Sequence, residues 1–299
     1  MGATANFQQE SDTLTRRSNA TPSASTLLGR KGSLEVRLSR DPDDVAAAQS
    51  LRYRVFYEEL NARASAETLI WRRDADAFDA ICDHLLVLQT ENGDTSSDAI
   101  RIGDAQVVGT YRLLRQEVAQ RNAGFYTQDE FDIATLVGSK PALKFLELGR
   151  SCVLKPYRTK PVVELLWQGI WNYVRLHQLD VMLGCASLEG TDLDALRLPL
   201  KFLHDEFSAP AEWYVRAQPD RYVPMDSPGL PPVDPRQAMR SLPPLIKGYL
   251  RLGAYIGDGA VVDHQFNTVD VLIILPVTSI NNRYFSHFGA PDDLQLPTS

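Results

Sequence analysis

The sequence predicts an α+β fold in which helices cover both faces of a mixed, mostly antiparallel central sheet. Three observations lead to this prediction. Several short runs alternate apolar and polar residues, as strands do, and two longer segments space their apolar residues three or four positions apart, as amphipathic helices do. The order of these segments is βαβββαβα, in which a meander leads into a crossover helix and another strand.

The first predicted unit is a strand followed by a helix. Residues 33–40, SLEVRLSR, alternate in polarity, and residues 41–60 begin with the acidic residues that cap a helix and occupy its first turn. Residues 1–32 are rich in Ser, Thr, Ala and Asn and show no apolar period, which predicts a disordered tail. We therefore expect one folded domain over 33–299.

The next three strands form the predicted meander. DHLLVLQT at 83–90 and DAQVVGTYRLLR at 104–115 are joined by a polar loop, and ALKFLELGRSCVL at 142–154 follows. The segment 160–178, KPVVELLWQGIWNYVRLHQ, has apolar residues at helical spacing and a proline in its first turn, so it is predicted to be a helix.

The last part of the chain contains a second strand–helix pair and a C-terminal extension. DVMLGCASLE at 180–189 is typical of a buried strand, and 191–207 is typical of a capped helix. A Pro-rich connector begins at about residue 224 and marks the start of the extension. Within it, LPPLIKGYLRLGAYIG at 242–257 is amphipathic, and VDVLIILPV at 269–277 predicts a final strand.

Composition excludes several classes of protein. The 299 residues carry a net charge of −7, which argues against nucleic-acid binding. The three cysteines have no CxxC spacing, so neither a disulfide framework nor a zinc site is indicated, and no metal site is predicted; a reducing cytoplasm fits best. No run approaches the roughly 18 apolar residues of a membrane span, and the N-terminus lacks a secretory signal.

One segment of this acidic chain is strongly basic. Between positions 140 and 160 a single acid, Glu147, stands against six basic residues: Lys140, Lys144, Arg150, Lys155, Arg158 and Lys160. Such a concentration predicts a surface that faces a negatively charged partner, although a solvated basic loop is the simpler alternative.

Within that segment, Glu147 and Arg150 interrupt an apolar strand. A charge inside a core strand is costly unless it is paired or has a function. Strand alternation places the two side chains on opposite faces, whereas a β-bulge at Gly149 would bring them to one site, because glycine tolerates the backbone that a bulge requires. The sequence therefore predicts a kinked core strand that presents both charges to a cleft.

Four short motifs occur in the order found in a known superfamily: RYRVF (52–56), DAFD (76–79), VVGTYRLL (107–114) and ELGR (147–150). With the predicted element order, they resemble the GNAT acyltransferase fold and, within it, the acyl-homoserine lactone autoinducer synthases. Over residues 33–290 the chain is more similar to the bacterial L-ornithine N-alpha-acyltransferases of ornithine-lipid synthesis, through CDHLLV, ELGRSCV, LLWQGIWNYV, LPPLIKGYLRLGAYIG and VDVLIIL.

This resemblance implies an enzyme that transfers a 3-hydroxyacyl chain from acyl carrier protein to the alpha-amine of L-ornithine, giving lyso-ornithine lipid. The donor is carried on the phosphopantetheine of acyl carrier protein, and no other cofactor is implied. GNAT enzymes that use coenzyme A bind its diphosphate with a Gly-rich loop. Here the matching stretch, RTKPVV at 158–163, has Pro161 in place of a glycine and so lacks one backbone donor, which favours the carrier-bound donor.

Glu147 and Arg150 are the predicted catalytic residues. The attacking amine must be neutral, and a carboxylate whose pKa is raised by burial can remove its proton as a general base. Arg150 is the predicted anchor beside it. The alternative is structural, with Glu147 simply paired to a neighbouring arginine such as Arg112.

The cationic acceptor is expected to meet acidic residues. Asp76 and Asp79 belong to the DAFD motif and are the predicted binding residues, whereas Asp74 is assigned to a solvated loop. Arg52 and Arg112 are expected to pair with these carboxylates and shape the acceptor pocket, with a purely structural ion-pair role as the alternative.

Three basic residues, Lys155, Arg158 and Lys160, are predicted to meet the phosphate and the acidic surface of acyl carrier protein. Two other functions remain open: an autoinducer synthase that uses S-adenosylmethionine, and a non-catalytic module that binds acyl carrier protein. A peripheral contact with the inner membrane surface is also open, through 242–256 with Lys247 and Arg251; packing of this segment on the sheet is the alternative.

Overall fold

The computed structural model describes residues 27–229 and 234–280. The strands are β1 (Leu27–Lys31), β2 (Leu34–Leu38), β3 (Asp83–Gln89), β4 (Arg101–Ile102), β5 (Ala105–Arg115), β6 (Phe145–Val153), β7 (Val181–Glu189), β8 (Tyr255–Asp263) and β9 (Thr268–Pro276). The helices are α1 (Pro42–Tyr53), α2 (Ala66–Trp71), α3 (Gln116–Ala119), α4 (Ile133–Ser139), α5 (Lys160–His177), α6 (Leu193–Phe207), α7 (Pro235–Ser241) and α8 (Pro244–Leu252).

The nine strands of the described residues belong to one sheet of order β1-β2-β3-β5-β6-β7-β9-β8, with the short β4 paired to β5. Every neighbouring pair is antiparallel except β6 and β7, which are parallel because the crossover helix α5 joins them. The predicted mixed, mostly antiparallel sheet is confirmed, and the parallel pair lies where the sequence places the crossover.

Helices pack on both faces of this sheet, as predicted, because successive strand residues point to opposite sides. On β3, Leu85 and Val87 join the cluster formed with α5, α6 and α8, whereas Leu86 and Leu88 join the cluster under α1. A third cluster, around α4 and the inner ends of β6 to β9, lies on the same face as α1. The two clusters on that face leave a gap between them, and the functional site lies in it.

The N-terminal boundary of the predicted domain needs a correction. The tail predicted over 1–32 overlaps β1, since Leu27–Lys31 pairs with β2 in an antiparallel hairpin; residues 1–26 lie outside the described residues. The C-terminal extension is part of the central sheet, because β8 and β9 continue it beyond β7. The sequence predicted β9 but not β8, whose sequence YIGDGAVVD is interrupted by two glycines and an aspartate.

Helix α8 shows what the amphipathic segment at 242–256 does. Its apolar side chains, among them Ile246, Tyr249 and Leu250, are buried against the sheet. The packing alternative is therefore the observed one, and the apolar face of this helix is not available to a bilayer. Among the described residues, no helix combines the length and the apolarity needed to cross a membrane.

Candidate active site

The predicted bulge is present in β6. Thr110 of β5 pairs with Cys152 of β6, and Arg112 of β5 pairs with Gly149 of β6. Two residue steps along β5 therefore lie opposite three along β6, which contains one extra residue. The backbone that accommodates the extra residue is that of Arg150, with φ of 50°, and not that of Gly149 as predicted. An arginine in this left-handed conformation is strained, so the surrounding contacts must hold it there.

β6 and β7 separate after Glu147, just before the bulge. In the described sheet they pair only from Phe145 to Glu147, opposite Val181 to Leu183. Gly184 follows at the point of divergence, where a Cβ atom would lie 2.2 Å from the carbonyl oxygen of Leu148, so only glycine fits. The separation opens a cavity of about 240 Å³.

Both charges of the ELGR motif line this cavity. Glu147 and Arg150 stand on its wall with Arg112, Tyr126 and Thr127. The bulge thus does what the sequence analysis required of it, because it brings a glutamate and an arginine from one strand to the same cleft.

Glu147 is buried and accepts hydrogen bonds from two backbone amides in the short 3₁₀ segment Tyr126–Asp129. The Tyr126 N–H donates to Oε2 at 3.1 Å, and the Thr127 N–H donates to Oε1 at 2.7 Å. Burial raises the pKa of the Glu147 carboxyl above its ordinary value, and these hydrogen bonds offset only part of the rise. Among the described residues no arginine forms an ion pair with Glu147, so the structural alternative of an Arg112 partner is wrong.

Arg150 is fixed by two ion pairs and two aromatic rings. Its Nε lies 3.2 Å from Asp74 Oδ2, and its Nη2 donates to Asp76 Oδ2 at 3.2 Å. The guanidinium stacks on the rings of Tyr126 and Phe266, 4.8 and 4.7 Å from their centres. Although burial disfavours its charge, Asp74 and Asp76 raise the pKa of Arg150. These contacts explain how the strained backbone of the bulge is held.

Arg52 is completely buried and forms the centre of an ion-pair network. Its Nε donates to Asp74 Oδ2 at 2.8 Å, and its Nη2 donates to Asp79 Oδ2 at 2.7 Å. Asp79 also accepts from Gln49 Nε2 at 2.9 Å. Burial raises the pKa of Asp79, but the Arg52 charge outweighs it and holds that pKa well below its usual range. Asp74 is buried in this network, so its assignment to a solvated loop is wrong.

Arg112 connects the network to the cavity. Its Nη1 donates to Asp76 Oδ1 at 2.6 Å and to Asp79 Oδ1 at 3.2 Å. Asp76 also caps the 3₁₀ turn Ala77–Ala80 by accepting from the Phe78 N–H. Three arginines thus face three aspartates, and the charges balance.

The predicted acceptor residues therefore occupy two different positions. Arg112 lines the cavity, whereas Arg52 and Asp79 lie behind its wall in the described structure, with their charges already paired. For Arg52 and Asp79 the geometry favours the structural alternative. Asp76 is about a quarter exposed at the edge of the network, and its role in acceptor binding stays a prediction.

The three residues predicted to meet the acyl carrier, Lys155, Arg158 and Lys160, are all exposed on the connection between β6 and α5. Arg158 is held by Glu59, to whose Oε2 its Nη2 donates at 2.8 Å. Lys160 lies 3.5 Å from Glu164. Pro161 occupies the first turn of α5, as predicted.

Two cysteines line the cavity, and neither is activated as a nucleophile. Burial raises the pKa of the Cys82 thiol to about 12, and burial and the nearby Glu130 raise the pKa of Cys185 well above its usual value. Both are free thiols that stay protonated at neutral pH.

An acidic cluster that the sequence did not predict also lies at the cavity. Asp263 and Asp270 line the cavity, and Glu130 lies beside them, with one oxygen of each residue within 4.8 Å of the others. We call these three residues the acidic triad. The backbone amides of Tyr126 and Thr127 were also missed, and nothing in a sequence marks a backbone donor.

Residues 51–168 match the acetyltransferase (GNAT) domain family. The chain is 54% identical over 263 residues to the L-ornithine N(alpha)-acyltransferase of Agrobacterium fabrum, an alignment that covers 88% of this chain and 87% of that protein. It is 51% identical to the protein of the same name from Rhizobium meliloti, covering 92% and 90%, and 52% identical to that from Brucella abortus, covering 88% and 92%.

A GNAT domain, a bulged strand that opens onto a buried glutamate, and half-identical relatives that align over nearly the whole chain all agree. The chain is an acyltransferase that belongs to the L-ornithine N(alpha)-acyltransferase family.

Proposed function

We propose that this enzyme transfers a 3-hydroxyacyl chain from the phosphopantetheine of acyl carrier protein to the alpha-amine of L-ornithine, forming lyso-ornithine lipid. The names of the relatives support ornithine as the acceptor. The observation that carries the chemistry is Glu147, a buried carboxylate of raised pKa on the wall of a cavity that opens where two strands diverge.

The proposed reaction is a direct acyl transfer. Glu147 takes a proton from the acceptor's alpha-ammonium, directly or through water, and the neutral amine attacks the thioester carbonyl. A C–N bond forms, the C–S bond breaks, and the leaving thiolate takes up a proton to become the free thiol of the carrier. The protonated state of Cys82 and Cys185 favours this route over an acyl-enzyme intermediate.

Arg150 and Arg112 are proposed to face the alpha-carboxylate of the acceptor. Both line the cavity with Glu147, and both are held in place by aspartates. A guanidinium that is fixed before the substrate arrives loses little entropy on binding a carboxylate. A carboxylate bound there would place the adjacent alpha-amine near Glu147.

Replacing Glu147 with Gln tests the proposal. We expect kcat to fall by about 10²- to 10⁴-fold, the usual contribution of a general base, with little change in the KM for the acyl donor. Glu189 also lines the cavity but is exposed, so Glu189→Gln is the matched control and should stay near wild type. Near-normal turnover by E147Q would contradict the role of Glu147 as base.

The assay should include a panel of amines and mass spectrometry of the products. Acylation of L-ornithine is the expected result. Preferred acylation of S-adenosylmethionine would identify an autoinducer synthase instead, and an absence of any acylated product would leave only a carrier-binding module.

We infer that acyl carrier protein docks at the connection between β6 and α5, where Lys155, Arg158 and Lys160 are exposed beside the opening of β6 from β7. Acyl carrier proteins are acidic, so complementary charge would speed their association. No other cofactor is proposed.

Charge reversal at Lys155 and Lys160 should raise the KM for acyl carrier protein but affect a minimal acyl-pantetheine donor much less. Arg197 is an exposed basic residue on α6, so Arg197→Glu is the matched control. The wild-type kcat/KM for the carrier should also fall as salt rises, because exposed charges are screened over about 8–10 Å at physiological ionic strength. Equal losses with both donors would contradict docking at this connection.

The enzyme is proposed to be cytoplasmic and to touch the inner membrane surface through α2. Leu69, Ile70 and Trp71 are consecutive on this helix and are 57%, 74% and 67% exposed. Arg72 and Arg73 follow directly and are also exposed. Exposed apolar residues beside arginines are typical of a surface that binds anionic lipid, and the proposed product is itself a lipid.

Sedimentation with phosphatidylglycerol vesicles tests this surface. Ile70→Ala with Trp71→Ala should reduce vesicle binding, whereas Leu198→Ala, which removes a single exposed leucine on α6, should not. Equal binding by both variants, or no binding by the wild type, would contradict membrane contact through α2.

A further inference from the structure

The acidic triad of Glu130, Asp263 and Asp270 is drawn together by the sheet register. Asp270 of β9 pairs with Ser187 of β7 and with Val261 of β8, and Asp263 of β8 pairs with Thr268. Asp263 and Asp270 therefore point to the same face of the sheet as the inward side chains of β7. Glu130 joins them from the segment that follows the Glu147-binding turn.

The negative charge of the triad is largely uncompensated in the described structure. One arginine, Arg221, approaches it, with Nη2 3.4 Å from Glu130 Oε1, and that arginine is one-third exposed. Arg150 attracts Asp270 only from a longer distance. Asp263 uses Oδ1 to accept from the backbone amides of the turn after β8.

Two carboxylate oxygens of the triad have no hydrogen-bond partner among the described residues. They are Oε2 of Glu130 and Oδ1 of Asp270. Glu130 is 97% buried and Asp270 is 94% buried, and Asp270 faces into the cavity that also contains Glu147. A buried carboxylate oxygen without a partner is costly, which indicates a site that a ligand completes.

Burial and mutual repulsion act in the same direction on the triad. Burial and the neighbouring Asp270 raise the pKa of Glu130, and burial and the neighbouring Asp263 raise the pKa of Asp270. A bound cation would relieve this repulsion and restore the ionised form of both carboxylates.

A continuous polar wall joins the triad to Glu147. The Thr127 backbone binds Glu147, while the Thr127 hydroxyl lies 3.8 Å from the Cys185 sulfur, whose thiol is beside Glu130. The two amines of an extended diamino acid are about 6 Å apart, and one hydrogen bond of about 2.8 Å at each end extends the reach to about 12 Å. Glu147, Asp263 and Asp270 line the same cavity, so one extended diamino acid bound there would have a carboxylate available at each end.

We propose that the acidic triad binds the side-chain ammonium of the acceptor, with Asp270 and Asp263 as its direct partners, and thereby selects diamino acids over neutral amino acids. The inference rests on the proposed function, since it names how that acceptor is recognised. In this arrangement Glu147 and Arg150 hold the reacting end, and the triad holds the distal end.

Competition between two acceptors tests the proposal. L-norvaline has the carbon skeleton of L-ornithine without the side-chain amine. The wild type should prefer ornithine in kcat/KM, and Asp270→Asn should reduce that preference by about 10- to 100-fold, as expected for loss of a charged hydrogen bond. The loss should lie in the KM for ornithine, with norvaline turnover unchanged.

Matched variants separate binding from folding. Asp258 is also on β8 but pairs with Arg216 outside the cavity, so Asp258→Asn should keep the wild-type preference. Asp263→Asn retains the oxygen that caps the turn and should reduce the preference even if D270N folds poorly.

Three results would overturn the inference or its basis. An unchanged ornithine preference in folded D270N and D263N would refute the role of the triad while leaving ornithine acylation intact. A wild type that acylates no ornithine would instead refute the proposed function. Calorimetric titration with Mg²⁺, Ca²⁺ or Mn²⁺ that shows binding lost in D270N, with turnover abolished by EDTA, would make the triad a metal site.

Discussion

Two clusters of three carboxylates lie beside the cavity, and they differ in how their charge is balanced. Asp74, Asp76 and Asp79 face three arginines in a network whose hydrogen bonds are mostly satisfied. The triad of Glu130, Asp263 and Asp270 faces one partly exposed arginine at 3.4 Å. The first cluster has little negative charge left for a cationic ligand, whereas the second has an excess.

The comparison shows that a run of acidic residues in sequence is a poor guide to cation binding. What decides the function of a buried carboxylate is whether the fold already supplies its counter-charge. The aspartates around 74–79 are neutralised by arginines from α1, β5 and β6, and they hold the bulge in shape. Among the described residues the triad has the partly exposed Arg221 as its charge partner, and we propose that the acceptor's ammonium supplies the rest of the counter-charge.

The largest expected effect comes from removing the central arginine of the first cluster. Arg52→Ala leaves Asp74 and Asp79 buried without their main counter-charge, so the free energy of unfolding should fall by about 3–5 kcal/mol. Urea denaturation followed by circular dichroism measures this. The matched change, Arg221→Ala, removes the arginine of the triad and should cost less than about 1 kcal/mol, because that pair is long and partly exposed. Similar losses of stability in both variants would contradict the difference between the two clusters.

A smaller difference is expected when one carboxylate of each cluster becomes an amide. Asp79→Asn weakens hydrogen bonds from two arginines and should destabilise the protein by about 2–3 kcal/mol. Asp270→Asn removes a charge that burial and Asp263 already disfavour, and it should leave the free energy of unfolding unchanged or raise it. Thermal denaturation of both variants at pH 7.5 measures this difference. A D270N protein as unstable as D79N would contradict the claim that the triad lacks counter-charge.

The smallest expected effect is on the pH dependence of stability. The two clusters should change the free energy of unfolding in opposite directions as pH rises. The folded-state pKa of Asp79 is lowered, so its contribution to stability is present above its unfolded pKa and is lost as pH falls through the acid range. The folded-state pKa values of Glu130 and Asp270 are raised, so the unfolded chain loses these protons first, and stability falls as pH rises from about 4 towards 7.

Relative to wild type, D270N should therefore gain roughly 1 kcal/mol or more in stability between pH 5 and pH 8. Unfolding curves at those two pH values, with E189Q as a control on an exposed carboxylate, measure the difference. A wild type and a D270N variant with parallel pH profiles would show that the triad is not held at raised pKa.

Much of what the sequence predicted about the site depends on patterns among residues that are close in the chain. The period of apolar residues placed α5 at 160–178, within one residue of its observed end at His177, and the charges in KFLELGRSCVL located the bulge. The bulge residue itself was assigned to Gly149 because glycine tolerates a positive φ. The structure places Arg150 there instead, because two aspartates and two aromatic rings compensate for the strain.

Non-local pairing was predicted only in part. The expected pairing of Arg52 and Arg112 with Asp76 and Asp79 is observed. Asp74 was assigned to a solvated loop, but its partners Arg52 and Arg150 come from elements that are distant in sequence and close in space. Within the triad, Glu130 lies more than 130 residues before Asp263 and Asp270, and no spacing rule connects it to them.

The amino-acid sequence alone predicts the sheet class, the crossover helix, the site of the bulge and Glu147 as the candidate base, because each depends on a periodicity or on a charge within an apolar run. The tertiary structure decided which charges are neutralised and which face the cavity. Which carboxylates are neutralised depends on the register of β7, β8 and β9 and on the positions of the arginines of α1 and β5. The pKa of a carboxylate and its availability to a ligand are set by its neighbours in space.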